Sequence, residues 1–214
     1  MLQTQTVKEE TLALLNTLMR DDKLTQFHLV GGTALALYIG HRKSIDIDLF
    51  SQKVFDVDEI KSYLEDKYGF ETSRESDVTL IGSINNVKVD CIRYNYPLVE
   101  PVLIFDEIRM YSIPDIAAMK LVAMSQSGNR LKDFVDIAFL STRLSLKEML
   151  GAFEKKYPKT SVMTAIRGLN FFDEIVFFAQ IDLINGVFKW KVIEKRIKEM
   201  IKYPDKIFPQ MIFK

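Results

Sequence analysis

Ser44-Ile45-Asp46-Ile47-Asp48-Leu49-Phe50 alternates apolar and polar side chains, the pattern of a strand with one face on a core. Alternate side chains of a strand share a face. Ile45, Ile47 and Leu49 are expected to point inward, and Asp46 and Asp48 together out of the other face. Two carboxylates so close repel each other, and a cation between them relieves the repulsion. Mg2+ suits such a place, because it takes hard oxygen ligands and is usually held by one or two carboxylates plus substrate phosphates. Taken alone, an Asp-x-Asp pair is more often an ordinary solvent-facing edge.

Two neighbours change that weighing. Upstream, Phe27-His28-Leu29-Val30 reads as a buried strand running into Gly31-Gly32-Thr33. Thr33 can cap a helix over Ala34 to Ile39, and Gly40 is placed to end it. Glycines let the backbone approach a ligand, and the N–H groups opening a helix favour an anion such as a triphosphate. Gly31, Gly32 and Thr33 are thus candidate phosphate ligands, Thr33 through its hydroxyl. Downstream, Val78 to Ile84 and Val87 to Tyr94 flank Asn85-Asn86 and read as a hairpin. Within its second arm Asp90 faces away from Val87, Val89 and Cys91, and a partner strand can bring it beside Asp46 and Asp48. Carboxylates that hold metal ions beside a phosphate-binding turn are the parts of two-metal phosphoryl transfer. Arg42 and Lys43, next to this acidic set, are candidates for taking triphosphate charge.

The chain around these motifs divides near Ser112. Before it, a helix is expected over Thr6 to Met19, another from the Asp56/Glu59 capping pattern to Tyr68, and one strand over Val102 to Tyr111. After it almost everything reads helical. One helix opens at Pro114 and runs to about Gln126, with a break at Ser127-Gly128-Asn129. A second covers Leu131 to Thr142. Ser145 and Glu148 form a capping box, and helices are expected to continue through Ala165, Ile175 and Ile193 to Tyr203. The predicted fold class is α+β, with an α/β head over residues 1–112 and a helical domain over 113–214.

Two charged helix positions stand out. Ile116 to Met124 is apolar nearly all round, with Lys120 as its one charge. A buried ammonium needs a partner or a ligand phosphate, although a lysine can also snorkel to the surface. Asp133 and Asp136 share a helix face, Lys132 can reach Asp136, and Asp136 reads as a partly buried partner for a cation such as Lys120.

Composition narrows the classes further. Acidic and basic side chains balance at 29 each, so overall charge favours neither a nucleic-acid-coating protein nor an acidic tail. The stretch from Lys189 to Lys206 is locally basic and includes Trp190 and Tyr203. It reads first as a solvated helix face and second as an RNA-backbone contact. Cys91 is the single cysteine, beside two histidines, so a disulfide within the chain is impossible and a Cys/His zinc site is close to excluded. Met1 to Glu10 shows no apolar signal core, and no apolar stretch is long enough to span a bilayer. The expected location is the cytoplasm, without a membrane partner.

The series Gly31-Gly32-Thr33-Ala34-Leu35, His41 through Asp48, Lys88-Val89-Asp90, and Lys120 through Lys132-Asp133-Phe134-Val135-Asp136 resembles the AbiEii/AbiGii nucleotidyltransferase toxin family. These are the toxin halves of type IV, abortive-infection toxin–antitoxin systems. The resemblance covers roughly Phe27 to Leu140. It implies a polymerase β-like head with a mixed sheet and flanking helices, followed by a C-terminal helical bundle. It also implies Mg2+- or Mn2+-dependent transfer of a nucleoside monophosphate from an NTP, with pyrophosphate released. The implied acceptor is the 3′ end of tRNA, and a cognate antitoxin is the implied partner. By the same resemblance Gly32 and Thr33 hold phosphates, Asp46 and Asp48 hold metals with Asp90 as a third carboxylate, Lys120 contacts the nucleotide, and Asp133 and Asp136 belong to the catalytic centre. Ser125 to Arg130 departs from the pattern, which places an arginine earlier. Two other readings stay open from the residues: a small-molecule nucleotidyltransferase of the antibiotic-modifying type, and a non-catalytic NTP-binding or interaction module.

Overall fold

The computed structural model describes residues 1–127 and 130–211, with Ser127 described by its backbone alone. Its centre is β2 (Ile47–Ser51), in which Ile47, Leu49 and Ser51 are buried while Asp48 and Phe50 reach the other, partly open face. The strand is shorter at its start than the alternation predicts. Ser44 instead bridges to Val7, the Thr33 hydroxyl holds the Asp46 carbonyl, and Ile45 is half exposed rather than in the core.

Around β2 lies a seven-stranded mixed sheet in the order β3-β4-β5-β2-β1-β7-β6. The other strands are β1 (His28–Leu29), β3 (Glu71–Ser76), β4 (Thr79–Ile84), β5 (Val87–Arg93), β6 (Leu103–Phe105) and β7 (Ile108–Met110). β5 runs parallel to β2 and β7 parallel to β1, and the remaining pairings are antiparallel. The β4–β5 hairpin turns on Asn85 and Asn86, both at positive φ, as the two-residue turn of a right-twisted hairpin requires. The single strand expected over Val102 to Tyr111 is instead a hairpin of two short strands, β6 and β7. Asp106 and Glu107 adopt positive φ at its turn, although neither residue is the usual glycine or asparagine.

Helices α1 (Glu9–Met19), α2 (Gly31–Ile39) and α3 (Val57–Tyr68) belong to the sheet half. Asp56 caps α3 by accepting from Glu59 N–H, and Gly69 ends it in the left-handed region. After Met110 follow α4 (Ile113–Ser127), α5 (Leu131–Leu140), α6 (Leu146–Lys156), α7 (Val162–Asn170) and α8 (Trp190–Lys202). The capping box at Ser145 and Glu148 is formed. The expected break after α4 falls partly on residues 128 and 129, outside the described residues. Ile175 does not continue a helix. Residues 171–189 are irregular and return to the sheet half, where Lys43 N–H donates to the Asp182 carbonyl and Ile184 N–H to that of His41. α4 packs on α2, α5, α6 and α7, and α5 packs on α2 and α8, so one apolar core runs through both halves.

Candidate functional site

The turn from β1 into α2 is built on two glycines, each with a distinct reason. Val30 N–H donates to the Asp48 carbonyl at 2.9 Å, which pins the end of β1 against β2. Gly31 then takes φ +70°, and a Cβ there would lie 2.1 Å from Asp48 Oδ2. A Cβ on Gly32 would lie 2.6 Å from the Arg42 guanidinium. The backbone therefore passes directly between a carboxylate and a guanidinium. α2 starts at Gly31, with Val30 as its N-cap and no side-chain cap. The first-turn N–H groups of a helix lack intrahelical partners, and an apolar N-cap leaves them for a ligand anion. Thr33 keeps its hydroxyl from phosphate. It does not cap the helix, it is fully buried, and its hydroxyl is engaged by the Asp46 carbonyl and the Ser44 hydroxyl.

The parallel register places Asp48 directly opposite Asp90, so their side chains leave the sheet side by side. Burial and the neighbouring Asp90 push the Asp48 carboxyl up to about 6, with Asp46 adding to the effect and Lys120 and Lys88 opposing it. Asp90 is buried. Its Oδ2 accepts from Lys88 Nζ at 2.6 Å, and its Oδ1 has no hydrogen-bond partner. Asp46 sits just before β2, partly exposed. Among the described residues no group of three or more His, Cys, Asp or Glu side chains converges closely enough to hold a metal ion. A mutually repelling carboxylate pair with one orphaned buried oxygen nevertheless fits a divalent cation that takes its remaining ligands from phosphate and water.

Behind this pair lies a buried ionic network. Lys120 Nζ is 2.6 Å from Asp133 Oδ1 and 2.8 Å from Asp136 Oδ2. Arg42 donates to both oxygens of Asp136, at 2.7 and 2.9 Å, and His41 Nε2 lies 2.8 Å from Asp136 Oδ1. Burial opposes the charge on Asp136, but Arg42 and Lys120 outweigh it and hold the carboxyl well below the usual range. Burial likewise opposes charge on Lys120, and Asp133 and Asp136 outweigh it. Arg42 is corrected as a triphosphate ligand: it is buried, and its guanidinium is committed to Asp136 and the Lys43 carbonyl. Lys43 is exposed and its ammonium donates to the Gln5 carbonyl. Lys132 is not among the groups that hold Asp136.

A cavity of about 230 Å3 opens between the glycine turn and α4, lined among others by Gly31, Gly32, Asp48, Lys120, Arg130 and Asp133. The structure thus brings Gly31, Gly32, Asp48, Lys120 and Asp133 into one space, with Asp90 beside Asp48. Thr33, Arg42, Lys43, Asp46 and Asp136 are not in its lining. Phe50 and Tyr94 are, and sequence reasoning missed them; their ring centroids lie 5.0 Å apart. The signal was available, since Phe50 shares strand parity with Asp48, and Tyr94 shares it with Asp90.

A family model described as the nucleotidyl transferase AbiEii toxin of type IV toxin–antitoxin systems matches residues 13–185. An uncharacterized protein of Aquifex aeolicus (strain VF5) is 31% identical over 183 residues, covering 82% of this chain and 86% of its own. The fold is similar to that of MenT4, a nucleotidyltransferase toxin from Mycobacterium tuberculosis H37Rv, at TM-score 0.58 and 14% identity over 92% of this chain and 85% of that one. It is also similar to the antibiotic-resistance factor ANT(2″)-Ia, at TM-score 0.50 and 17% identity over 68% and 91%.

Proposed function

The chain belongs to the AbiEii nucleotidyltransferase toxin family, and on that premise we propose that it transfers a nucleoside monophosphate from an NTP to the 3′-hydroxyl of tRNA, with Mg2+ as cofactor, as the toxin of an abortive-infection system held in check by an antitoxin. The observation that carries the catalytic part is the single cavity in which Asp48, the Gly31–Gly32 turn and Lys120 meet, with Asp90 in register beside Asp48. The tRNA acceptor and the antitoxin rest on the family.

In this reading the first-turn N–H groups of α2 bind the triphosphate, and Gly31 allows it to lie against Asp48. Lys120 lines the same cavity, held in place by Asp133 and Asp136. Asp48 and Asp90, with Asp46 at the edge, would hold Mg2+, which when bound neutralises phosphate charge and favours in-line displacement. The acceptor oxygen bonds to the α-phosphorus as the bond to the bridging oxygen breaks. Pyrophosphate leaves, and a carboxylate of the set takes the hydroxyl proton. Phe50 and Tyr94 offer aromatic faces at the cavity wall for a base or sugar.

The test is to incubate the protein with each NTP radiolabelled at the α-phosphate, Mg2+ and total bacterial tRNA, beside an Asp46→Ala/Asp48→Ala control. Label entering tRNA with the wild type alone is the expected result. Label entering a small molecule, or no RNA product despite NTP binding, would move the acceptor elsewhere.

A further inference from the structure

A second cavity, about 650 Å3, lies between the last turns of α4 and α7. Its lining includes Ser125, Gln126, Arg167, Asn170, Phe171 and Glu174. Gln126 lines this space and the nucleotide cavity alike, so the two meet at one side chain. The walls are held close together: a Cβ on Gly168 of α7 would come within 3.1 Å of the α4 backbone at Met124 and Ser125. None of these groups has a part in the transfer chemistry described above.

The lining chemistry selects a ligand class. Arg167 is an exposed guanidinium suited to phosphate. Phe171 is 43% exposed and presents a face on which a base can stack. Glu174 and the amide oxygens of Gln126 and Asn170 accept from hydroxyls or exocyclic amines. A bare anion fits poorly, because Glu174 faces the same space and helix C-termini carry partial negative charge. A nucleotide satisfies all of these groups, and the volume suits one small ligand unit rather than a duplex. Beyond the notch, Val176 bridges to Arg130 of the nucleotide cavity, and Phe177 and Phe178 stand exposed beside it.

We propose that this notch is the acceptor subsite, seating the terminal nucleotide of a single-stranded RNA 3′ end with its hydroxyl turned past Gln126 toward the bound NTP. The inference rests on the transfer reading given above. The 3′-oxygen forms the new bond to the α-phosphorus, pyrophosphate is released, and the hydroxyl proton goes to the carboxylate set.

The experiment follows a short fluorescent oligoribonucleotide with a free 3′-hydroxyl by anisotropy, using the full chain and the variants Arg167→Glu and Phe171→Ala. Lys23→Glu supplies the same charge change on the exposed surface beside β1, where Lys23 pairs with Glu59 at 3.4 Å. NTP binding by calorimetry and KM for RNA are measured in parallel. Arg167→Glu and Phe171→Ala are each expected to weaken RNA binding by about tenfold or more and to raise KM for RNA, with NTP affinity unchanged. Lys23→Glu is expected to stay within about twofold, the scale of a single distant phosphate contact. Unchanged RNA affinity and KM in both notch variants, with RNA labelled normally by the wild type, would overturn the subsite and leave the transfer reading standing. Absence of label with the wild type would remove the transfer reading instead. Anisotropy would then decide separately whether the notch binds RNA, with equal binding by all variants overturning it.

Discussion

Asp48 is held in a state the fold disfavours. Its carboxyl sits beside Asp90 and is pushed up to about 6 from the ordinary 3.8. A raised carboxyl pKa means that the folded chain prefers the protonated form. The resulting penalty is absent below about pH 4, grows as pH rises through the unfolded value, and is complete above about 6. Asp48→Asn is therefore expected to stabilise the metal-free protein at pH 7 by about 1–2 kcal/mol, less than the full shift implies because the group is partly solvated, and to abolish nucleotide transfer. Urea unfolding in EDTA at pH 7 and at pH 4 checks this, with the gain confined to the higher pH. Asp136 is the opposite case. It is fully buried and shared by Arg42, Lys120 and His41, so Asp136→Ala leaves two buried cations short of their partner. Breaking a buried pair from one side costs about 3–5 kcal/mol. A loss below about 1 kcal/mol in urea unfolding would show that solvent reaches this network.

At the scale of the element, the glycine turn can be separated into strain and contact. Gly31 and Gly69 have nearly the same φ, +70° and +66°, but a Cβ on Gly31 meets Asp48 Oδ2 whereas one on Gly69 meets nothing within 4 Å. Gly69→Ala should cost only the left-handed backbone penalty of about 1–2 kcal/mol. Gly31→Ala should cost that much and also push Asp48 aside, with NTP binding lost in calorimetry. Equal loss of stability with NTP affinity intact in both would refute the close packing at this turn. The same element shows how far the sequence could be read. Alternation located β2 and the facing of Asp48, and Asn85-Asn86 marked the β4–β5 hairpin, because both are local patterns. Ile45 was misread because the backbone before Ile47 is captured by Thr33 and Thr6 rather than by the sheet. The turn at Asp106 and Glu107 carries only a weak sign of positive φ, because Asp tolerates that region while Glu does not favour it. Arg42 looked like a phosphate ligand because its partner, Asp136, lies 94 residues away, and no local periodicity reports a contact at that range.

The two halves of the molecule depend on each other for satisfied polar groups as well as for covered apolar surface. In α2, Ala34, Leu35, Ala36 and Leu37 are all fully buried, which requires cover on several sides, and α4 and α5 supply part of it. His41 and Arg42 are buried in the sheet half, yet their carboxylate belongs to α5. Asp115 in α4 accepts from Val99 and Glu100 N–H and pairs with Lys156 of α6 at 2.7 Å, and Lys156 also donates to the Pro97 carbonyl. The loop following β5 is thus tied to α4 and α6 through one buried ion pair. A fragment of residues 1–112 would keep Arg42 without Asp136, the 97–100 loop without its anchors, and α2 with an open apolar face. An unpaired buried charge and uncovered core surface each cost several kcal/mol against a total stability of about 5–15. The fragment is expected to show little native secondary structure by far-ultraviolet circular dichroism and no cooperative urea transition. Lys156→Met in the full chain should lower stability by about 3–5 kcal/mol, since it breaks a fully buried ion pair from one side. A sigmoidal urea transition in the fragment would mean that the sheet half is an autonomous domain and that α4 and α5 dock onto a surface already folded.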